Sequence, residues 1–176
     1  MSRPNYVYCP YCATKLEQRD RYRQLRPVCP QCGFVHFLDP KVAVIGLVTH
    51  GAEVLLIQRG IEPGKGLWAL PGGYMDAGEM PEAALQRELL EEVGLQVEIQ
   101  RLLTIFPMIT REPPSHGIVL AYHALPVPGA AMTLTCDDDA CAAGWFAPEQ
   151  LPAALAFEST HTLLAQWRQQ RLPSQA

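Results

Sequence analysis

The sequence predicts an α+β fold with a small ribbon in front of it. Three observations carry that reading. Apolar runs of strand length recur along the chain, the first from Val42 to Thr49. Two later stretches, Glu82 to Val93 and His161 to Arg171, have helical composition or spacing. Four of the six cysteines fall in two Cys-x2-Cys pairs within the first forty residues. The expected division is residues 1–38 for the ribbon and 39–176 for the larger domain.

Length and charge bound the answer. A chain of 176 residues can build one good core plus an appendage. Its 48% hydrophobic and 18% charged content suits a globular protein rather than a disordered one. No apolar run approaches the ~20 residues of a membrane helix. Met1 to Pro10 has no apolar segment of the signal-peptide kind. The expectation is a cytoplasmic protein with no membrane partner. The net charge of −4 hides an asymmetry: residues 1–40 hold six Lys/Arg against three Asp/Glu, and residues 41–176 hold eight against fifteen.

Taken in order, the ribbon comes first. Cys9-Pro-Tyr-Cys12 is followed after sixteen residues by Cys29-Pro-Gln-Cys32-Gly33. Two such pairs at this separation are a zinc signature, because four thiolates close a tetrahedral shell. Gly33 permits the tight turn that a knuckle needs. A reducing compartment argues against two disulfides. So few residues bury little core, so Zn²⁺ would largely hold this piece together. A closed four-cysteine shell leaves no position for substrate, which makes the zinc structural. Arg19, Arg21, Arg23 and Arg26 give the ribbon a basic surplus; its small size favours solvated surface or a protein contact over nucleic acid. His36 reads as a strand residue. Cys136 and Cys141 read as free thiols, Cys141 as a small buried hydrophobe.

Leu38-Asp39-Pro40 marks the boundary. Val42 to Thr49 is a near-continuous apolar run, which predicts a strand covered on both faces. His50-Gly51 is a turn, and Glu53 to Gln58 the returning strand. Arg59 at its end could contact phosphate. After a loop from Gly60 to Gly66, Trp68 to Leu70 is a short strand. Pro71-Gly72-Gly73 is a tight turn that can bring bare backbone close to a ligand.

From Glu82 to Val93 the residues are helix formers, with no β-branched side chain before Val93. Pro81 suits the first turn and Gly94 the position past the end. Glu88, Glu91 and Glu92 stand at i, i+3 and i+4 and share one face. Leu85, Leu89 and Val93 form a neighbouring stripe that can face a core. Three carboxylates on one face repel each other, and a hard cation such as Mg²⁺ or Mn²⁺ would relieve them. A solvated acidic face is the plain alternative.

Downstream, Val97 to Thr104 and Gly117 to Leu125 read as strands, and Thr133 to Thr135 as a short one. Trp145-Phe146 precedes Pro148-Glu149-Gln150-Leu151-Pro152. In the last helix, Leu163, Leu164 and Trp167 form a stripe packed on the sheet.

The full spacing from Gly73 to Leu95 is Gly-x5-Glu-x7-Arg-Glu-U-x-Glu-Glu-x-Gly-U, with U aliphatic. It resembles the motif of the Nudix hydrolases, and Lys65-Gly-Leu-Trp-Ala-Leu-Pro-Gly-Gly-Tyr74 resembles that family's approach to it. The resemblance implies an α/β/α sandwich with a mixed sheet between helices, and a loop–helix–loop as catalytic unit. By the same resemblance Glu88, Glu91 and Glu92 bind Mg²⁺ or Mn²⁺, and Gly73 lends a backbone carbonyl. Arg87 then pairs with Glu79, with an i,i+4 pair to Glu91 as the alternative, and Glu88 or Glu92 takes the proton from water. Many family members carry a glutamate three residues before the Trp-Phe. Here that position is Ala142, with Asp137, Asp138 and Asp139 as candidate substitutes.

The implied reaction is hydrolysis of a nucleoside diphosphate linked to a group X, on a small dinucleotide or nucleotide-sugar substrate. A branch that hydrolyses NADH carries Ser-Gln-Pro-Trp-Pro-Phe-Pro downstream of the motif, which is absent here. The two cysteine pairs, Pro40-Lys41, Gly66 to Pro71, Gly73-Tyr74 and Leu155-Ala156-Phe157 are similar to plant FAD and ADP-ribose pyrophosphatases. That points to FAD or ADP-ribose with release of AMP, and Phe106 and Tyr122 are candidates for an adenine slot. The alternatives are an NADH/NAD pyrophosphatase, a non-catalytic nucleotide-responsive regulator, and a phosphatase of damaged nucleoside triphosphates. Retention of every motif carboxylate favours the enzyme over the regulator. The ribbon and the Leu38 to Leu47 segment could supply an apolar surface for a homodimer.

Overall fold

The computed structural model describes residues 6–111, 114–136 and 139–171, with backbone alone at 109–111 and 114–115. The chain divides into two units, Met1–Pro40 with Thr110–Ser115, and Lys41–Ile109 with His116–Ala176. In the first unit β1 (Glu17–Arg21) and β2 (Gln24–Val28) form an antiparallel hairpin. Its two-residue turn, Tyr22-Arg23, has both φ angles positive, at 55° and 63°, the geometry that matches strand twist. Among the described residues before Lys41, only Cys9, Val28 and Cys29 are buried. So small a core leaves the cysteine knuckles to hold the unit.

The second unit is built on one sheet. Its elements are β3 (Lys41–His50), β4 (Glu53–Arg59), β5 (Trp68–Ala69), α1 (Pro81–Val93), β6 (Val97–Arg111), β7 (Pro114–Pro126), β8 (Ala140–Phe146) and α2 (Glu158–Arg171). The strand order is β5-β4-β3-β7-β6, with β8 on the other edge of β4. β3 runs parallel to β7, from Lys41 opposite Gly117 to Val48 opposite Ala124. β4 pairs with β3 only beside their turn, at Thr49–Val54 and His50–Glu53. Further along, the edge of β3 is taken by the loop after β5: Val44 N–H donates to Gly73 O, Gly46 N–H to Pro71 O, and Met75 N–H to Val42 O. This stitching fixes the Gly72-Gly73 turn against the middle of the sheet.

Strand alternation sends successive side chains to opposite faces. Val44, Val48, Leu55 and Ile57 meet Ala84, Leu85, Leu89 and Val93 of α1 on one face. Leu47, Val54 and Leu56 meet Leu163, Leu164 and Trp167 of α2 on the other. The result is the expected sandwich of a mixed sheet between two helices. Leu85, Leu89 and Val93 are fully buried, so truncating Leu89 to Ala would cost roughly 2–5 kcal/mol. α1 opens with Pro81 at its first position and closes at Gly94, whose φ of 69° lets the cap amides reach Leu89 O and Leu90 O. No helix among the described residues is long and apolar enough to cross a membrane.

Three expectations are corrected. β6 runs on through Pro107 to Arg111, because on an outer strand a proline can turn its missing donor to solvent. Thr133 to Thr135 is not a strand; Thr135 N–H instead donates to Val93 O at the end of α1. Cys141 is exposed rather than buried, because it is the residue left over where β8 slips register against β4, between the Gln58–Ala142 and Arg59–Ala140 pairs.

Candidate active site and four-cysteine cluster

The helix grades its three motif acids by depth. Glu91 is half exposed, at 49%, whereas the Glu88 side chain is 12% exposed. Glu92 is 2% exposed, and its Oε2 accepts the Gly72 N–H at 2.9 Å. Burial raises the Glu92 carboxyl to about 8, with the charges of Glu88 and Asp139 adding to the shift. The Gly72 amide and the Arg59 guanidinium act in the opposite direction. Like charges beside a desolvated acid add to the cost of ionising it.

Glycines make the close approach possible. A Cβ on Gly73 would fall 2.5 Å from Glu88 Oε2, and one on Gly72 would fall 2.1 Å from Val44 O. Gly72 has φ of 138°, a conformation only glycine adopts readily. The Gly73 carbonyl accepts Val44 N–H at 2.9 Å, which leaves it a second lone pair.

Arg87 ties the acids together. Its Nε and Nη2 reach the two oxygens of Glu79 at 2.9 and 3.0 Å. Nη1 reaches Glu88 and Glu91, each at 2.9 Å, and Nη2 also donates to Tyr74 O at 3.1 Å. Both partners expected for Arg87, Glu79 and Glu91, are therefore engaged together. The guanidinium holds the Glu79 carboxyl below its ordinary range, helped by the Asp76 amide.

Residues 39–167 match the profile of the NUDIX domain. The chain is a Nudix hydrolase. Over 122 residues it is 39% identical to an ADP-ribose pyrophosphatase of Methanocaldococcus jannaschii, covering 69% of this chain and 70% of that one. Over 145 residues it is 34% identical to the NAD-capped RNA hydrolase NudC of Pseudomonas aeruginosa, covering 82% of this chain. It spans only about half of that relative, 49%. A crystal structure of a NUDIX hydrolase from Nitrosomonas europaea superposes with a TM-score of 0.84 at 25% identity, over 94% of this chain and 92% of that one.

The other expected site residues of this Nudix hydrolase separate into two groups. Arg59 stays with the acids: its charge is felt at Glu92. Its Nε donates to Pro63 O at 2.7 Å, and its guanidinium lies 5.0 Å from the Phe157 ring centroid. Phe157 is brought there because Leu155 and Ala156 pair with Trp68 of β5. Phe106 and Tyr122 do not form an adenine slot. Tyr122 is 5% exposed in the α1-side core, with its hydroxyl on Glu82 at 3.2 Å. Phe106 packs against the α2-side core, so the sheet lies between the two rings. Ala142 is held in the β4–β8 ladder opposite Gln58. Asp137 and Asp138 lie outside the described residues, while Asp139 bears electrostatically on Glu92. Sequence reasoning did not find the Gly72 amide or the Tyr74 carbonyl as partners; the Gly-Gly doublet was the only signal for either.

The four ribbon cysteines converge. Their sulfurs lie within 4.8 Å of one another, with Cys9–Cys32 at 3.5 Å, Cys12–Cys29 at 3.4 Å and Cys12–Cys32 at 3.6 Å. Those separations are far beyond a disulfide bond and near the ~3.8 Å edge of a tetrahedron with 2.3 Å zinc–sulfur bonds. The two knuckles repeat one geometry. Cys9 N–H donates to Thr14 O and Ala13 N–H to Cys9 O; Cys29 N–H donates to Phe34 O and Gly33 N–H to Cys29 O. Ala13 and Gly33 both have positive φ, 57° and 77°. The donor set fits a closed thiolate site.

Proposed function

We propose that this protein is a divalent-metal-dependent pyrophosphohydrolase that cleaves a nucleoside diphosphate linked to X, with ADP-ribose or FAD as substrate and AMP as a product. The observation that carries the reading is the packing of the Gly72-Gly73 turn against Glu88 and Glu92. Glu88, Glu91 and Glu92, with the remaining lone pair of the Gly73 carbonyl, would hold Mg²⁺ or Mn²⁺. When bound, such an ion neutralises diphosphate charge and makes water a better nucleophile at neutral pH. Arg87 keeps Glu79, Glu88 and Glu91 in place through its hydrogen bonds. Glu88 or Glu92 accepts the proton from the attacking water. Arg59, set beside Phe157, binds a substrate phosphate. The four cysteines hold a structural Zn²⁺, which suits a reducing, cytoplasmic setting.

Support for the substrate comes from the likeness to the Methanocaldococcus jannaschii ADP-ribose pyrophosphatase. A second reading, NADH or NAD, is favoured by the likeness to an NAD(P)H pyrophosphatase of Mus musculus, 34% identical over 130 residues. Both readings cut the same phosphoanhydride, so products decide between them. The test is a panel of ADP-ribose, FAD, NADH and NAD with Mg²⁺ or Mn²⁺, reading AMP and its partner product. Glu92→Gln should cut turnover by at least ~10²-fold, and Glu82→Gln, outside the carboxylate set, should not. Equal turnover in both variants and wild type would end the metal-site assignment.

A further inference from the structure

A cavity of about 300 Å³ lies on the α2 side of the sheet, away from α1. Its floor is Thr49 of β3, His123 of β7 and Arg101 of β6, on three neighbouring strands. Its wall is the last turns of α2, with Trp167, Gln170 and Arg171. Gln166 and three leucines complete the lining, and among the described residues no Asp or Glu is part of it.

Two guanidinium groups and a Thr–His pair supply the polar part of the lining. Thr49 Oγ1 and His123 Nε2 are 2.9 Å apart. Arg171 Nη1 donates to Gly51 O, and its guanidinium lies 5.7 Å from the Trp167 ring centroid. Among the described residues neither Arg101 nor Arg171 forms an ion pair with a carboxylate. Burial, with Arg101 and Arg171, holds His123 below its ordinary pKa. Two like charges therefore bear on one partly enclosed space, with no counter-charge in its lining among the described residues.

We propose that this cavity is a second, non-catalytic site that binds a phosphorylated small molecule. A guanidinium meets a phosphate through paired N–H donors, and two converge here. The leucines and Trp167 offer an apolar surface for the remainder of the ligand. A volume at the small end of ligand sites fits a phosphomonoester of mononucleotide size. The catalytic carboxylates would admit phosphate only with a cation between, whereas this cavity needs none. Binding without Mg²⁺ or Mn²⁺ therefore separates the two sites, and it does not depend on which substrate the enzyme cleaves.

The experiment titrates inorganic phosphate and AMP into the full, zinc-loaded chain in buffer free of Mg²⁺ and Mn²⁺ and follows backbone amide shifts. Saturable shifts are expected around Thr49, Arg101, His123 and 166–171, with binding at least tenfold weaker in Arg101→Glu and unchanged in Glu92→Gln. Arg101 is exposed on an outer strand, so the substitution should fold, and a melting curve checks this. Should it not fold, Gln170→Glu places a carboxylate on the wall instead and should weaken binding similarly. No saturable shift at millimolar ligand, shifts confined to residues 72–93, or undiminished affinity in a folded charge-reversal variant would overturn the proposal.

Discussion

The Gly72 amide donates to the Glu92 carboxylate across 2.9 Å, binding the turn before α1 to the deepest acid on it. The bond favours the charged form but does not outweigh burial, and the carboxyl stands near 8 instead of 4.5. For an acid raised in the folded state, its contribution is intact below the unfolded pKa and is lost as pH rises through the folded one. Without divalent cations the protein should therefore lose stability from about pH 4.5 to about pH 8. Glu92→Gln removes that loss. Calorimetry in buffer free of Mg²⁺ and Mn²⁺ should show the variant melting several degrees above wild type at pH 8, and close to it at pH 5. An identical margin at both pH values would contradict the burial of Glu92 as an acid.

Arg87 spans three carboxylates and one carbonyl, and only a planar fork can do so. Arg87→Lys keeps the charge but loses the two-point grip on Glu79. We expect turnover to fall ~10- to 100-fold, as for other residues that orient metal ligands. The Mn²⁺ concentration for half activity should rise with it. Arg87→Ala should be worse on both measures, since Glu79, Glu88 and Glu91 then lose the guanidinium they share. Wild-type kinetics in Arg87→Lys would mean that the fork does not matter.

Much of this was legible in the sequence, for physical reasons that also mark where it stopped. A period of 3.6 residues places Glu88, Glu91 and Glu92 on one face whatever lies opposite. Their depths follow from the loop stitched to the β3 edge, a tertiary contact that no local pattern encodes. Phe106 and Tyr122 look equally apolar along the chain, but they pack into cores on opposite faces of the sheet. Gly33 announces its positive φ; Ala13 takes the same conformation in the twin knuckle with no such signal.

The cysteine cluster makes a separate prediction. Purified protein should carry one zinc per chain, and Cys29→Ser should lose it, because Cys29 is 1% exposed and its Sγ sits 3.4 Å from that of Cys12. The ribbon should then unfold, while turnover per folded molecule changes less. Metal analysis, amide spectra and kinetics on the same sample check all three. A zinc-free variant with an intact ribbon would remove the structural role.

Adjacent glycines should fail in different ways. A methyl on Gly72 meets backbone, 2.1 Å from Val44 O and 2.9 Å from Ile45 Cα, at a φ of 138°. Neither atom can move without breaking the stitching to β3, so Gly72→Ala should cost more than ~3 kcal/mol and yield little folded protein. A methyl on Gly73 instead meets the end of one side chain, the Glu88 carboxylate, at 2.5–2.6 Å. That carboxylate can swing away. Gly73→Ala should therefore keep nearly the wild-type melting temperature but displace a metal ligand by about 1 Å, a shift worth ~10²-fold in rate. The decisive comparison is melting temperature against kcat for the pair. Gly73→Ala with full activity and unchanged Mn²⁺ dependence would show that Glu88 has no fixed position to lose.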